Sequence, residues 1–367
     1  MNAAEDQAFM ARALRLAARG RCTTHPNPRV GCVLVRDGRI LAEAWHERAG
    51  GLHAEAAALA RLEESAAGAT AYVTLEPCSH EGRTPPCAPA LVEAGVARVV
   101  VPALDPNPRV SGRGAAILRA AGIAVDIGPL AAEARALNAG FFSRMETGRP
   151  RILVKLAASL DGRTAMASGE SRWITAAEAR ADVHRLRAEC SAVLSGIGTV
   201  LADDPSLTVR LEDRESGGRQ PLRVVLDSSL RMPSSARMLA LPGDTLVFTA
   251  ARASERRAVL ESAGATVENV PAVRGGLDLK AVATRLGELE CNDVLVEAGP
   301  RLAGAWVSSG LADGLVLYLA PHLLGHEGRP LVEVPGLERM SERLQLRVRR
   351  LRQIGRDLRL DLDIGGN

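Results

Sequence analysis

Aromatic residues are scarce in this chain, with four Phe, two Tyr and three Trp among 367 residues. Few rings are left for stacking bases, which argues against single-stranded nucleic acid as a partner. A large positive charge is missing too. The 46 Lys and Arg face 43 Asp and Glu, a net +3, too little for affinity built on releasing counterions from a phosphate polymer; a small anionic substrate stays compatible. No run approaches the ~20 apolar residues of a membrane span. Glu5, Asp6, Arg12, Arg15 and Arg19 interrupt the N-terminal stretch, so it lacks a signal-peptide core and reads as an amphipathic helix. A cytoplasmic location without membrane association is expected. Six cysteines are too sparse for a disulfide scaffold in so long a chain. What is present is 47% apolar and 24% charged residues, a globular balance, and a length suited to about two domains.

Residues 1–147 alternate strand-like and helical patterns, which points to an α/β layer arrangement. Apolar runs at 31–35 and 40–45 flank Asp37-Gly38, a hairpin signal. The pattern then predicts helices over 53–64, 87–94 and 114–121, and strands over 71–75, 98–101 and 123–127. Polar residues over 143–151 break the pattern before a new apolar strand opens at Ile152. The boundary is placed there, between domains 1–147 and 148–367. The second repeats the α/β theme, with strands over 152–156, 192–194, 222–226, 245–248, 266–270, 294–297 and 315–319. Its helices fit 176–188, 253–263, 277–286 and 301–309. Residues 210–220 are polar and read as a surface loop.

The most informative residues of the first half are His53-Ala54-Glu55 at a helix start, and Pro77-Cys78 with Cys87 after a strand. One imidazole and two thiolates give one Zn²⁺ three protein ligands and leave its fourth position to water, the arrangement of a catalytic site. The ion lowers the pKa of that water towards about 7. Glu55, two residues past His53, is placed to carry the proton on to a leaving amine. His80 is the alternative fourth ligand that would close the site, although it stands poorly spaced beside Cys78. Cys22, Cys32, Cys190 and Cys291 read as small apolar residues. His-x-Glu followed by Pro-Cys and a further Cys is the signature of zinc-dependent base deaminases, in which two residues separate the cysteines. Here eight do, 79–86, including His80 and Arg83.

In the second half, Lys155 lies on a strand that runs into the polar turn Ser159-Leu160-Asp161-Gly162. Gly196-Ile197-Gly198-Thr199 follows another strand, and Val294-Leu295-Val296-Glu297 ends at Ala298-Gly299-Pro300 with a helix beginning near Arg301. Strand ends in α/β sheets are where ligands sit, and free N–H groups at a helix start suit phosphates. No Gly-x-Gly-x-x-Gly fingerprint with a suitably placed acid occurs, so spacing alone does not establish a dinucleotide site. A cation at Lys155 would assist electron flow or bind a substrate oxygen. Glu297 ends an apolar strand, where an acid is costly to bury without a partner. Trp173 serves equally as a core or rim ring and as a cofactor platform. Arg187, with Arg180 and Arg185, competes with a solvated basic face.

The segments Glu76-Pro77-Cys78-Ser79-His80, Gly82-Arg83-Thr84-Pro85-Pro86-Cys87, Asp105-Pro106-Asn107-Pro108 and Thr23-Thr24-His25-Pro26-Asn27-Pro28-Arg29 resemble the deaminase half of the bifunctional riboflavin-biosynthesis deaminase-reductases. Leu52 stands where that family commonly has proline before the ligand histidine. Lys155 to Arg163, Ser168 to Thr175, Asp203 to Arg210 and Val294 to Pro300 are similar to its reductase half. The resemblance implies a cytidine-deaminase-like domain followed by a dihydrofolate-reductase-like domain that uses NADPH. It implies hydrolytic loss of the 2-amino group from a ribosylated diaminopyrimidinone 5′-phosphate, then reduction of the ribosyl group to ribityl. Asn27, His46, His80, Arg83 and Asn107 would contact the first substrate, Arg83 suiting phosphate by its forked guanidinium. Ala157, Trp173, Thr199, Asp203, Gly299, Pro300, Arg301, Leu302, Ala303, Gly304 and Ala305 would hold NADPH. Ser171, Arg187, Leu207, Arg210 and Glu297, with Lys155, would hold the second substrate. Other readings keep zinc deamination but make the second half a non-catalytic module, act on a nucleic-acid base, or drop catalysis altogether; a homo-oligomer is compatible with each.

Overall fold

The computed structural model describes residues 2–79, 85–108, 110–252 and 255–365, the side chains of 214 and 215 excepted. The chain divides into two compact units, Met1–Gly148 and Arg149–Asn367.

In the first unit, helix α1 (Ala3–Ala17) opens with a capping box in which Asn2 accepts from Ala4 and Glu5 N–H and Glu5 answers to the Asn2 N–H. The expected hairpin is β1 (Gly31–Arg36) and β2 (Arg39–Trp45), turned through Asp37 and Gly38 in the left-handed region at φ 51 and 75. With β3 (Thr70–Val73), β4 (Arg98–Val101) and β5 (Ala124–Ile127) they form a sheet of order β2-β1-β3-β4-β5. Strand alternation splits β1 between two cores. Val33 and Val35 meet Met10, Ala13 and Leu16 of α1, while Cys32 and Leu34 join α2 (Ala54–Leu59), α3 (Cys87–Glu93) and α4 (Arg113–Ala120) on the other face. Gly31 lets α1 lie directly on the strand, since a Cβ there would stand 2.1 Å from the Ala13 carbonyl oxygen.

The polar stretch expected to break the pattern from 143 is helical instead. Helices α5 (Ala131–Leu137) and α6 (Ala139–Thr147) close the unit, and Gly148 at φ 74 ends α6. Phe141 and Phe142 bury against Leu75, which anchors the helix despite its polar end. Asn138, also buried, exchanges two hydrogen bonds with the Arg29 backbone at 2.8 and 2.9 Å.

The second unit contains β6 (Arg151–Ser159), β7 (Arg163–Ala165), β8 (Ala192–Gly196), β9 (Leu222–Leu226), β10 (Thr245–Thr249), β11 (Ala265–Asn269), β12 (Ala272–Val273), β13 (Gly276–Leu277), β14 (Asp293–Glu297), β15 (Gly314–Ala320), β16 (Arg329–Pro330), β17 (Leu346–Ile354) and β18 (Asp357–Ile364). Nine of them build one sheet, β11-β10-β9-β8-β14-β6-β15-β18-β17, parallel from β11 to β15 and antiparallel at the β18-β17 edge. The helices are α7 (Ala177–Glu189), α8 (Ile197–Asp203), α9 (Asp213–Ser216), α10 (Glu255–Ser262), α11 (Leu279–Glu288) and α12 (Pro300–Ser308). Residues 253 and 254 of the helix expected over 253–263 lie outside the described residues. The loop expected over 210–220 holds the single turn α9. Connections run outward in opposite senses from β8 and β14, and such a switch in strand order leaves a crevice at the carboxyl ends of the strands. Fully buried Trp306 seats α12 in the core with Ile152, Val154, Val294 and Val296, fixing the loop after β14; truncating such a ring costs roughly 3–5 kcal/mol.

Candidate active sites

Two helix starts and the loop after β3 converge in the first unit. His53 is the N-cap of α2 in an extended conformation, Cys87 is the first residue of α3, and Cys78 lies between them in sequence. His53 Nδ1 stands 3.4 Å from Cys78 Sγ and 3.5 Å from Cys87 Sγ, and the three atoms fall within 4.8 Å of one another. Zinc bonds of ~2.3 Å to sulfur and ~2.0 Å to nitrogen imply a tetrahedral edge of roughly 3.5 Å, so the donor set fits that ion. The Cys87 N–H donates to Cys78 Sγ at 3.3 Å and the Ala88 N–H to the Cys78 carbonyl at 3.0 Å, favouring a thiolate at a helix start. A hydrogen bond from the Cys87 thiol, aided by His53 and that N–H, pulls the Cys78 pKa down to about 4. The same contact, then burial, raises that of Cys87. Hydrogen bonding to Cys78 raises His53.

Glu55 sits in the first turn of α2, 3% exposed. Burial, then the negative charge of Cys78, pushes its pKa up to about 7, so the carboxyl group is poised to take and give a proton near neutrality. His46 is buried, its ring edge-on to His53 with centroids 5.5 Å apart. Its Nδ1 is 2.9 Å from the Leu52 carbonyl and its Nε2 3.1 Å from Asn27 Nδ2. The Leu52 carbonyl needs a donor, which places the proton on Nδ1 and leaves Nε2 to accept from the Asn27 amide. Both ring nitrogens are thus committed to protein partners, one step back from the substrate contact expected of them. His80 and Arg83 lie outside the described residues. Cys32, Cys190 and Cys291 are buried, and no disulfide occurs among the described residues.

Sequence reasoning missed Glu76. This 4% exposed carboxylate accepts the N–H groups of Asp105, Gly112 and Ala115 at 3.0, 2.9 and 3.1 Å, tying the loop that carries Asn107 to the Pro77-Cys78 segment. Its signal was available, since an acid ending an apolar strand needs partners. Gly114 completes the joint, because a Cβ there would lie 1.9 Å from the Pro77 carbonyl oxygen. Asp105 accepts the Asn107 N–H at 2.8 Å, and burial lifts its pKa to about 7.

The second unit holds a cleft of about 2200 Å³. Small-ligand pockets span ~300–1,000 Å³, so there is room for a dinucleotide and a second ligand together. Eleven Lys and Arg line it against five Asp and Glu, a surface suited to phosphates. Lys155, Ala157, Ser171, Trp173, Arg187, Thr199, Asp203, Leu207, Arg210, Glu297, Gly299, Pro300, Arg301, Leu302 and Ala305 all face it. Ala303 and Gly304 do not. Ala303 is fully buried, and a Cβ at Gly304 would meet the Glu333 carbonyl oxygen at 1.8 Å, so these two serve α12 packing.

Arg187 is no solvated basic face. Its Nε and Nη2 fork onto Glu297 at 2.5 and 3.0 Å, and Lys155 Nζ stands 3.7 Å from the same carboxylate. Burial alone would raise the Glu297 pKa; Arg187 and Lys155 overcome it and hold it at about 2. Burial, with Arg187 beside it, lowers that of Lys155. Ser195 Oγ, which sequence reasoning missed, donates to the Glu297 carbonyl at 2.7 Å. Trp173 is 68% exposed at the rim, with the Arg180 guanidinium 4.3 Å from its ring centre. Gly299 caps α12 and Pro300 opens it, leaving the first-turn N–H groups at the cleft.

Residues 3–103 match the cytidine and deoxycytidylate deaminase zinc-binding region, and residues 150–360 match the RibD C-terminal domain. The chain is 50% identical over 367 residues to the riboflavin biosynthesis protein RibD of Escherichia coli K12, covering 98% of this chain and 99% of that one. The Aquifex aeolicus protein of the same name is 42% identical, over 96% of this chain and 97% of its own. Among solved structures, Acinetobacter baumannii RibD superposes with a TM-score of 0.91 at 44% identity, over 99% of both chains. A Thermotoga maritima diaminohydroxyphosphoribosylaminopyrimidine deaminase/5-amino-6-(5-phosphoribosylamino)uracil reductase does so with 0.87 at 34%, also over 99% of both.

Proposed function

The chain belongs to the RibD family of riboflavin biosynthesis, and from that premise we propose how its residues divide two reactions between two units. It is a bifunctional enzyme with a zinc-dependent pyrimidine deaminase and an NADPH-dependent reductase, acting on small phosphorylated pyrimidines. The first unit removes the 2-amino group of 2,5-diamino-6-(5-phosphoribosylamino)pyrimidin-4(3H)-one. The second reduces the ribosyl group of the resulting uracil to ribityl. No helix among the described residues is long and apolar enough to cross a membrane, and we place the enzyme in the cytoplasm.

The observation that carries this reading is the meeting of His53 Nδ1, Cys78 Sγ and Cys87 Sγ beside buried Glu55. These three residues would hold the zinc, whose contribution when bound is a water made acidic enough to attack near neutral pH. With the metal bound, the Glu55 carboxylate would hold the proton given up by the attacking nucleophile and pass it to the departing amine. Asn27, oriented by His46, supplies amide donors and an acceptor to the pyrimidine edge. Asn107, held through Glu76 and Asp105, closes the other side, and His80 and Arg83 bind the ribosyl phosphate.

In the cleft, NADPH supplies the hydride when bound. The first turn of α12 with Gly299 to Leu302, together with Ala157, Thr199 and Asp203, grips the cofactor, and Trp173 covers it from the rim. Ser171, Leu207 and Arg210 hold the substrate's phosphorylated arm. The Glu297 carboxylate, fixed by Arg187 and Lys155, accepts hydrogen bonds from the sugar hydroxyls beside the reacting carbon. Lys155 Nζ places its positive charge near the C–N bond whose electrons shift during reduction. A coupled assay tests the whole: with the diaminopyrimidinone phosphate, ammonia is released without NADPH, and NADPH is oxidised only after ammonia appears. Ammonia without any NADPH oxidation would leave a deaminase with a non-catalytic second unit.

A further inference from the structure

His184 lies on α7 one turn before Arg187, so the two side chains share a helix face. Both reach the same acceptor. Arg187 Nη1 donates to the Thr208 carbonyl at 2.9 Å, and His184 Nδ1 stands 3.2 Å from it. On the far side of the ring, Arg210 Nε is 3.3 Å from His184 Nε2. A guanidinium nitrogen only donates, so Nε2 must accept and the proton belongs on Nδ1, where the Thr208 carbonyl takes it. The other tautomer would set donor against donor at Arg210. The Arg210 backbone N–H also points at Nδ1, at 3.3 Å, so the Nδ1–H tautomer gives up that one bond and gains two, to the Thr208 carbonyl and from Arg210 Nε. Burial, with Arg187 and Arg210 nearby, lowers the His184 pKa to about 4, which keeps the ring neutral and able to accept.

We propose that His184 is a positioning residue of the reductase site, an imidazole brace that holds the exposed Arg210 side chain in one orientation so that the guanidinium meets the phosphorylated substrate already aligned. The inference rests on the assignment of Arg210 to substrate. An arginine at a cleft mouth loses rotamer freedom when it grips a ligand, and a neighbour that restrains it beforehand removes part of that cost. The segment of Leu207 to Arg210 is restrained too, since its Thr208 carbonyl is held by both helix residues. No role in the hydride step is assigned to His184.

The variants H184A, H184Q, H184N and R210A test it in the full chain, with saturating NADPH and varied 5-amino-6-(5-phosphoribosylamino)uracil. The expected result is a KM raised about three- to tenfold in H184A, with kcat within about twofold of wild type. H184Q recovers most of the KM, because its amide oxygen reaches the place of Nε2. H184N reaches only the place of Nδ1 and does not recover it. NADPH affinity by fluorescence and a melting curve accompany each variant. A raised KM in R210A with an unchanged KM in H184A would overturn the brace alone. Equal loss of kcat and of NADPH affinity in all three His184 variants would show a structural role and overturn it as well. An unchanged KM in R210A would remove the assignment of Arg210 to substrate, and the brace with it.

Discussion

Glu297 takes both arms of the Arg187 fork, at 2.5 and 3.0 Å, inside a cleft where burial alone would favour a neutral acid. Two cations, Arg187 and Lys155, therefore depend on one carboxylate. Glu297→Gln keeps the shape but removes the charge, leaving the buried cations uncompensated. We expect a stability loss of about 3 kcal/mol in urea unfolding and reductase kcat/KM reduced at least about a hundredfold, with ammonia release in the first unit retained. A stable, active Glu297→Gln chain would show that the carboxylate neither anchors the cations nor serves the substrate.

The zinc loop is wedged against α4. A Cβ at Gly114 would lie 1.9 Å from the Pro77 carbonyl oxygen and 3.3 Å from Glu76 Oε1, so Gly114→Ala pushes the Pro77-Cys78 backbone away. The expected outcome is a loss of about 1–3 kcal/mol and lowered zinc content by elemental analysis, with NADPH-dependent reduction of the deaminated substrate preserved. Unchanged melting temperature and zinc content would mean that the two segments are not in contact.

His184 gives the stability a definite pH dependence. Its folded pKa of about 4 lies below the ordinary value of 6.5, so between these values the unfolded chain binds more protons and acidification favours unfolding. Burial sets this shift first, then Arg187 on its own helix and Arg210 across from it, while the Thr208 carbonyl and Glu297 oppose it. Wild type should lose melting temperature relative to His184→Gln as pH falls from 7 towards 4. A constant difference between the two across that range would contradict the assignment.

Metal removal should separate the two activities. Prolonged chelation is expected to abolish ammonia release and to leave reduction of the deaminated uracil intact, since the cleft residues include no member of the His53, Cys78 and Cys87 set. Added zinc restores deamination. Loss of both activities on chelation would show that the reductase depends on the metal.

The meeting of His53, Cys78 and Cys87 beside Glu55 was legible in the sequence because it is local: one helix start, one Pro-Cys turn and a second helix start carry a donor set that could hold a metal. The Asp37-Gly38 hairpin and the parallel strands were legible through turn chemistry and apolar runs. The β17–β18 hairpin was not, because β17 reads Leu-Arg-Val-Arg-Arg-Leu-Arg-Gln-Ile at an exposed sheet edge, and a bulge between Val348 and Arg350 breaks the two-residue period in the sequence, although Arg347, Arg350 and Arg352 pair with Asp363, Asp361 and Arg359 on one face. Helix α6 was hidden in the same way by the polar residues after Phe142. Glu76 and His184 escaped notice because their partners lie 29 to 39 and 24 to 26 residues away in the chain. Ala303 and Gly304 differ from the rest of their motif: they lie on the inner face of α12, packed away from the cleft lining.

Ammonia release by Glu55→Gln chains, measured on material shown to hold one zinc ion per chain, bears most directly on the division of labour at the metal site. The expected rate is lower than wild type by about 10²–10⁴, with zinc content unchanged because Glu55 is not one of the three ligand residues. Wild-type ammonia release from zinc-loaded Glu55→Gln would contradict the account.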